Sequence, residues 1–148
     1  MADIHADIEA LKEFADALVR YRIAQRAVAD QGDYQVAATR ASLEEKESQW
    51  RALLARRRAD LADCQRAAAM PADAGGHAGC SAQESAVREA EERLEQVRRW
   101  QQRVDDEAGA FRGPASRFRN LLDRDLPRAE SHLRDVVSGL EAARGIRP

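Results

Sequence analysis

Residues 90–111 read AEERLEQVRRWQQRVDDEAGAF, and the spacing within them decides the fold. Ala90, Leu94, Val97, Val104, Ala108 and Phe111 follow one another at steps of three and four, and Gln101 fills the gap. Such steps place side chains on one stripe of an α-helix. Sustained over this length, the stripe is the pattern of a helix packed on another helix.

Downstream, the stripe continues through Ala115, Phe118, Leu122, Leu126, Ala129, Leu133, Val136, Leu140 and Ala143. Its phase survives Gly113-Pro114, so Pro114 predicts a kink or a restart in the same direction rather than a reversal. Pro127 coincides with a four-four step and reads the same way. Upstream, Met70–Cys80 is the one clear loop. Pro71 cannot continue a helical hydrogen-bond ladder, and Gly75-Gly76 supply permissive backbone. Ser81-Ala-Gln-Glu84 then fits a capping box that opens the second helix.

Before the loop, Ile4, Ile8, Leu11, Phe14, Leu18, Tyr21 and Val28 hold one face of an earlier helix. Val36, Leu43, Trp50, Leu54, Leu61 and Cys64 resume it. Around Gly32 two steps of four follow each other, a local stutter that relaxes a supercoil without ending the helix. Gly32-Asp33 is also a candidate break, since glycine costs about 1 kcal/mol in a helix interior.

These patterns predict an all-α, single-domain protein over residues 1–148, folded as a long antiparallel helical hairpin of coiled-coil type. Arm one is 3–69, the turn 70–81 and arm two 82–143. A fold point near residue 75 sets Trp50 level with Trp100, and Gly32 level with Phe118. The alternative uses Gly32, Gly113 and Pro114 as hinges and folds both arms back into a compact four-helix bundle. The unbroken phase through Pro114 favours the hairpin.

Composition agrees. Of 148 residues, 34% are charged and only 5% aromatic, and much of the 44% hydrophobic content is alanine, a mixture typical of long helices. The formal net charge is −2, with acids and bases interleaved, so no basic field exists to attract nucleic acid. Arg56–Asp60, Glu84–Arg88, Glu89–Arg93 and Glu95–Arg99 fall at i,i+4 and read as solvated helix faces. Arginine far outnumbers lysine, which occurs only at positions 12 and 46. The acidic start lacks a signal-peptide pattern, and no apolar run is long enough to span a bilayer. The expected location is cytoplasmic, with export by a route without a cleaved signal as the alternative.

Candidate chemistry is confined to the turn. Cys64, at the end of one stripe, and Cys80, just before the next helix, are placed to form a disulfide. Closing that loop would add about 3 kcal/mol in the chain-entropy model. Two reduced thiols are the second reading. A metal site of Cys64, His77 and Cys80 is the third, and it lacks the fourth ligand of structural zinc. His5 and His132 lie far from the turn in a hairpin. No metalloprotease, phosphate-loop or nucleophile-elbow motif occurs, so the sequence predicts no enzyme and no cofactor.

Trp50, Leu94, Val97 and Trp100 are candidate interaction residues. Trp100 stands among Arg98, Arg99 and Arg103, a setting for a binding hot spot or for arginine stems packed over a ring. Tyr21, Leu53, Trp100, Leu121 and Val137 widen the stripes beyond what one helical partner covers. The expected partner is therefore a second copy, as a homodimer or larger assembly, with an unidentified protein partner besides.

Trp50-Arg51-Ala52 in a small helical hairpin resembles the WXG100 proteins exported by type VII secretion. In that family Trp-x-Gly occupies the turn, whereas here Ala52 stands for the glycine and the turn comes some twenty residues later. Cys64, Cys80-Ser-Ala-Gln-Glu84 and Val97-Arg-Arg-Trp100 are similar to uncharacterised bacterial coiled-coil hairpin proteins with paired cysteines at the turn. The hairpin itself reads as a structural or protein-interaction module, and the WXG100 resemblance implies the alternative, a secretion-associated cargo or adaptor. It assigns no functional residue.

Overall fold

A computed structural model describes residues 4–70 and 79–146. The backbone is helical nearly throughout, without strands among the described residues. Helix α1 is Ile4–Ala69 and helix α2 is Ser81–Asn120. A π-helical turn, Leu121–Asp125, joins α2 directly to α3, Leu126–Ile146. The chain is a helical hairpin with two long arms. The reversals that a four-helix alternative needs at Gly32-Asp33 and Gly113-Pro114 are absent, because α1 and α2 run through them. None of these helices is long and apolar enough to cross a membrane.

The expected single domain divides into two compact units. Unit 1 is Met1–Gln35 with Gly109–Pro148, and unit 2 is Val36–Ala108. Gly32, Gly113 and Pro114 all lie close to these boundaries. Residues 31–42 of α1 and 109–117 of α2 are exposed throughout, so neither stretch supplies core. Phe111 and Ala115, expected on the stripe, therefore face solvent. Exposure also explains how Pro114 stays inside α2. A proline leaves the carbonyl four residues earlier without its donor, and water can satisfy the one at Ala110.

Unit 2 follows the sequence pattern closely. Val87, Ala90, Leu94, Val97, Gln101, Val104 and Ala108 point inward from α2. Leu54, Ala90 and Leu94 are its buried cluster, and Trp50 and Val87 pack against it. The two arms meet in antiparallel order. Arg40 pairs with Asp105 at 3.2 Å, and Gln101 Nε2 donates to Glu47 Oε2 at 2.8 Å. Arg57 Nη1 donates to the Ala86 carbonyl at 2.8 Å, and Arg58 pairs with Glu91 at 3.1 Å.

Unit 1 departs from the pattern by one residue on each arm. On α1 the inward row is Ile8, Leu11, Ala15, Leu18, Arg22, Gln25 and Ala29. Phe14, Tyr21 and Val28, expected in the core, are 55%, 47% and 63% exposed. On the other arm the core runs through Phe118, Leu122, Leu126, Glu130, Leu133, Val137 and Leu140. Ala129 and Val136, expected inward, have given way to Glu130 and Val137.

The π turn accounts for the second slip. The Leu126 amide reaches back to the Leu121 carbonyl, five residues away, so this turn holds one residue more than an α turn. The three-four steps after it are displaced, so Glu130 and Val137 replace Ala129 and Val136 while Leu133 and Leu140 stay inward. Pro127, which has no amide hydrogen and crowds the preceding turn, follows immediately.

The new phase buries Glu130, which is 3% exposed. Arg22 Nε donates to Glu130 Oε1 at 2.8 Å, and Arg134 lies 3.9 Å from its other oxygen. A buried carboxylate without such a partner would be strongly unfavourable.

The cysteine pair and the candidate interaction surfaces

Cys64 lies near the end of α1, and Cys80 occupies the cap position of α2. The Glu84 amide donates to the Cys80 carbonyl at 2.9 Å, the first helical bond, which makes Ser81 the first helical residue rather than the cap expected from the capping box. The Cys64 and Cys80 sulfur atoms are 2.11 Å apart, at disulfide distance, with their α-carbons 6.0 Å apart. Sulfurs engaged with each other are not free thiolates for a metal. His77, the third residue of that reading, lies outside the described residues.

The interaction candidates separate into core and surface. Leu94 and Val97 are 6% and 8% exposed, within unit 2's own core, so they offer a partner almost nothing. Trp50 is half-buried against the same core. Trp100 is 49% exposed. It stands at the edge of the seam, just before the inward Gln101, while Trp50 packs on the core. Its ring has the Arg103 guanidinium 5.3 Å from its centroid, a cation–π contact. Glu92, Gln96, Arg99, Trp100 and Arg103 line a shallow open depression. Gly32 is not filled by a bulky neighbour either, since a β-carbon there would meet nothing within 4 Å.

The sequence reading missed the two sides of unit 1. Lys12 pairs with Glu141 at 2.7 Å, Arg26 with Asp123, and Arg119 with Asp33. In the first two pairs both residues immediately follow an inward position, namely Leu11 and Leu140, Gln25 and Leu122; in the third Arg119 follows Phe118, and Asp33 continues the same seven-residue spacing from Arg26 beyond the core. Followers from the two arms thus share one side of the helix pair, and that side is charged. These contacts raise Lys12 above its ordinary pKa, chiefly through its hydrogen bond to Glu141, and Arg26 likewise through Asp123. Arg22 is raised chiefly by its hydrogen bond to Glu130.

Residues that precede inward positions must then share the opposite side. On α1 these are Ala10, Phe14, Ala17, Tyr21, Ala24 and Val28. On α3 they are Ala129, His132, Val136 and Gly139, and Leu121 precedes Leu122 in the π turn. Asp7 and Arg117 end the set, and Asp125 separates Leu121 from the rest. No other aspartate, glutamate, lysine or arginine interrupts it. The seven-residue repeat of Phe14, Tyr21 and Val28 was visible in the sequence. What hid its exposure was the assumption that the largest apolar residues define the core.

The chain matches no protein family, no curated protein and no solved structure.

Proposed function

We propose that this protein is a structural or protein-interaction module that self-assembles, and that it has no catalytic role. One observation carries the reading. Large apolar side chains stay uncovered once the hairpin has closed, among them Phe14, Tyr21 and Val28 in one row. Contiguous exposed apolar surface of this kind marks an interaction site. Light scattering on purified protein at tens of micromolar tests it. A mass above one chain, falling on dilution, is expected. A single-chain mass throughout the range rejects self-assembly.

The cysteine pair favours a second reading, a secretion-associated cargo or adaptor of WXG100-like type. Sulfurs at disulfide distance suit an oxidising destination. This reading expects the protein in culture supernatant with Cys64 and Cys80 joined. Retention in cells with both thiols free would reject it and leave an intracellular scaffold.

A further inference from the structure

We infer that the largely uncharged side of unit 1 is the self-assembly surface, and that a second copy seats on it two-fold to make a four-helix bundle. The inference rests on the self-assembly reading above and adds the surface, the partner and their arrangement.

The apolar pattern of α1 in unit 1 argues for this. A helix with one helical neighbour needs apolar residues at two positions in seven. A helix inside a bundle needs a third position beside them. Ile8, Leu11, Ala15 and Leu18 fill the first two rows, and Phe14, Tyr21 and Val28 fill the third. The first neighbour is already present in α3 and the turn before it. The third row lies on the side opposite the ion pairs, and its side chains are 47–63% exposed among the described residues.

Size argues for it as well. From residue 10 to residue 28, α1 extends about 27 Å at 1.5 Å per residue. Two helices side by side are about 20 Å across. The side therefore offers about 500 Å² per copy, or about 1,000 Å² in a dimer, the lower bound for a specific interface. Interfaces at this low end are typical of weak, reversible association.

Chemistry selects a second copy over other occupants. Between residues 10 and 28 and their opposite numbers on α3 the side carries no lysine or arginine, so nothing draws it to an anionic membrane. It presents no charge pattern for an oppositely charged protein to match. Two identical sides of this kind meet with no carboxylate but Asp125 on each. A two-fold axis near Tyr21 makes the contact isologous, bringing Phe14 of one copy level with Val28 of the other.

The experiment combines sedimentation equilibrium with cross-linking. Tyr21→Glu is expected to weaken dimerisation at least tenfold while leaving helicity by circular dichroism unchanged. Ile23→Glu is the control. It changes a residue that is 60% exposed, against 47% for Tyr21, and that follows the inward Arg22, and dimerisation should persist. Tyr21→Cys should yield an intermolecular disulfide between the two introduced thiols, identified by peptide mapping. If both charge variants dimerise like wild type and no such bridge forms, self-assembly stands and this surface is wrong. A wild type that is monomeric at tens of micromolar overturns both statements. So does a monomer that instead binds phosphatidylcholine–phosphatidylserine vesicles through Tyr21.

Discussion

The two units share one topology and differ in where they put their charges. In unit 2 the inward rows hold Glu47, Arg57 and Gln101 among apolar residues, with the two charged side chains still 22% and 24% exposed, and the residues just before these rows include Lys46, Arg56, Asp60, Glu89, Arg93 and Glu107. In unit 1 the inward row contains Arg22, Gln25 and Glu130, while the residues just before it on α1 are Ala10, Phe14, Ala17, Tyr21, Ala24 and Val28. Unit 2 keeps its inward charges partly solvated and its flanks mostly charged, with Leu53 and Trp100 as the large apolar residues among them. Unit 1 buries an ion pair and leaves an apolar flank open. Counting apolar residues cannot separate these cases, because both arms are about equally rich in them. What separates them is which row the opposing helix meets.

The largest test of this contrast is a charge in each apolar row. Leu94→Asp in unit 2 strands a carboxylate in a site that is 6% exposed. The expected loss is about 4 kcal/mol. At roughly 2–4 °C per kcal/mol for a chain of this size, melting should fall by about 10 °C. Phe14→Asp, equally large on paper, sits at 55% exposure and should leave a dilute monomer within about 1 kcal/mol of wild type. Thermal melts by circular dichroism at low micromolar concentration compare the two. Equal losses would mean that Phe14 is core and that the two units are alike.

The buried pair of unit 1 supplies an asymmetric test. Arg22 is 33% exposed at its side chain, whereas Glu130 is 3% exposed. Glu130→Leu leaves an arginine that can swing its head into water over an apolar stem. Arg22→Leu leaves a carboxylate in the core with only Arg134, at 3.9 Å, to answer it. Arg22→Leu should therefore lower the melting temperature by several degrees more than Glu130→Leu. A reversed order would show that the arginine, not the carboxylate, is the confined partner. The pair also fixes register, since a slip of one residue separates these groups. Glu130→Leu should broaden the melt even where it leaves the midpoint in place.

How far the sequence could reveal this follows from the same residues. Two long helices, a turn between them and a Cys64–Cys80 encounter were all legible, because a three-four rhythm and a Pro/Gly-rich loop are local signals. The seam through Ala90, Leu94, Val97, Gln101, Val104 and Ala108 was legible too, since its flanks are charged and only one row fits inside. The phase of unit 1 was not. Between Phe118 and Leu140 the apolar residues suit two adjacent rows, and the choice depends on a π turn beside Pro127. A backbone adjustment of one residue leaves no local composition signal. The available clue was long-range, an acid at 130 and a base at 22 at matching heights of the hairpin.

A third, smaller effect sets the covalent restraint of unit 2 against unit 1, which has none among its described residues. The Cys64–Cys80 link closes a sequence separation of 16, worth about 3 kcal/mol of unfolded-state entropy in the loop model. Reduction should lower the melt by several degrees, about 6–12 °C as an upper bound. Amide exchange should rise first near Ala62 and Val87, on the two arms next to the link. An unchanged melt would mean that the tip opens before the remainder of unit 2 and that the link is only a local restraint. Faster exchange confined to Leu11 and Leu133 would contradict the division into units.

The smallest expected effect concerns the charged side of unit 1. Lys12 Nζ lies 2.7 Å from Glu141 and 3.7 Å from Glu9. The amine is held above its ordinary pKa, first by the hydrogen bond to Glu141 and then by the charge of that carboxylate. A group whose folded pKa exceeds its unfolded value stabilises the fold fully below the unfolded value. That contribution disappears as pH rises through the folded one. The stability difference between wild type and Lys12→Gln should therefore be flat across neutral pH and shrink to nothing in the alkaline range, above where lysine ordinarily titrates. Both partners are about half exposed, at 44% and 47%, so the difference is small and should fall with added salt. Unit 2 provides the contrast, because Arg40–Asp105 and Arg58–Glu91 link its arms through arginine rather than lysine, and a guanidinium as a class stays protonated where an amine does not. Arg58→Gln should differ from wild type by the same amount at neutral and alkaline pH. Urea melts of the three proteins at both pH values decide the matter. A Lys12→Gln difference that persists unchanged at high pH would mean that the lysine acts through its aliphatic stem, not through its charge.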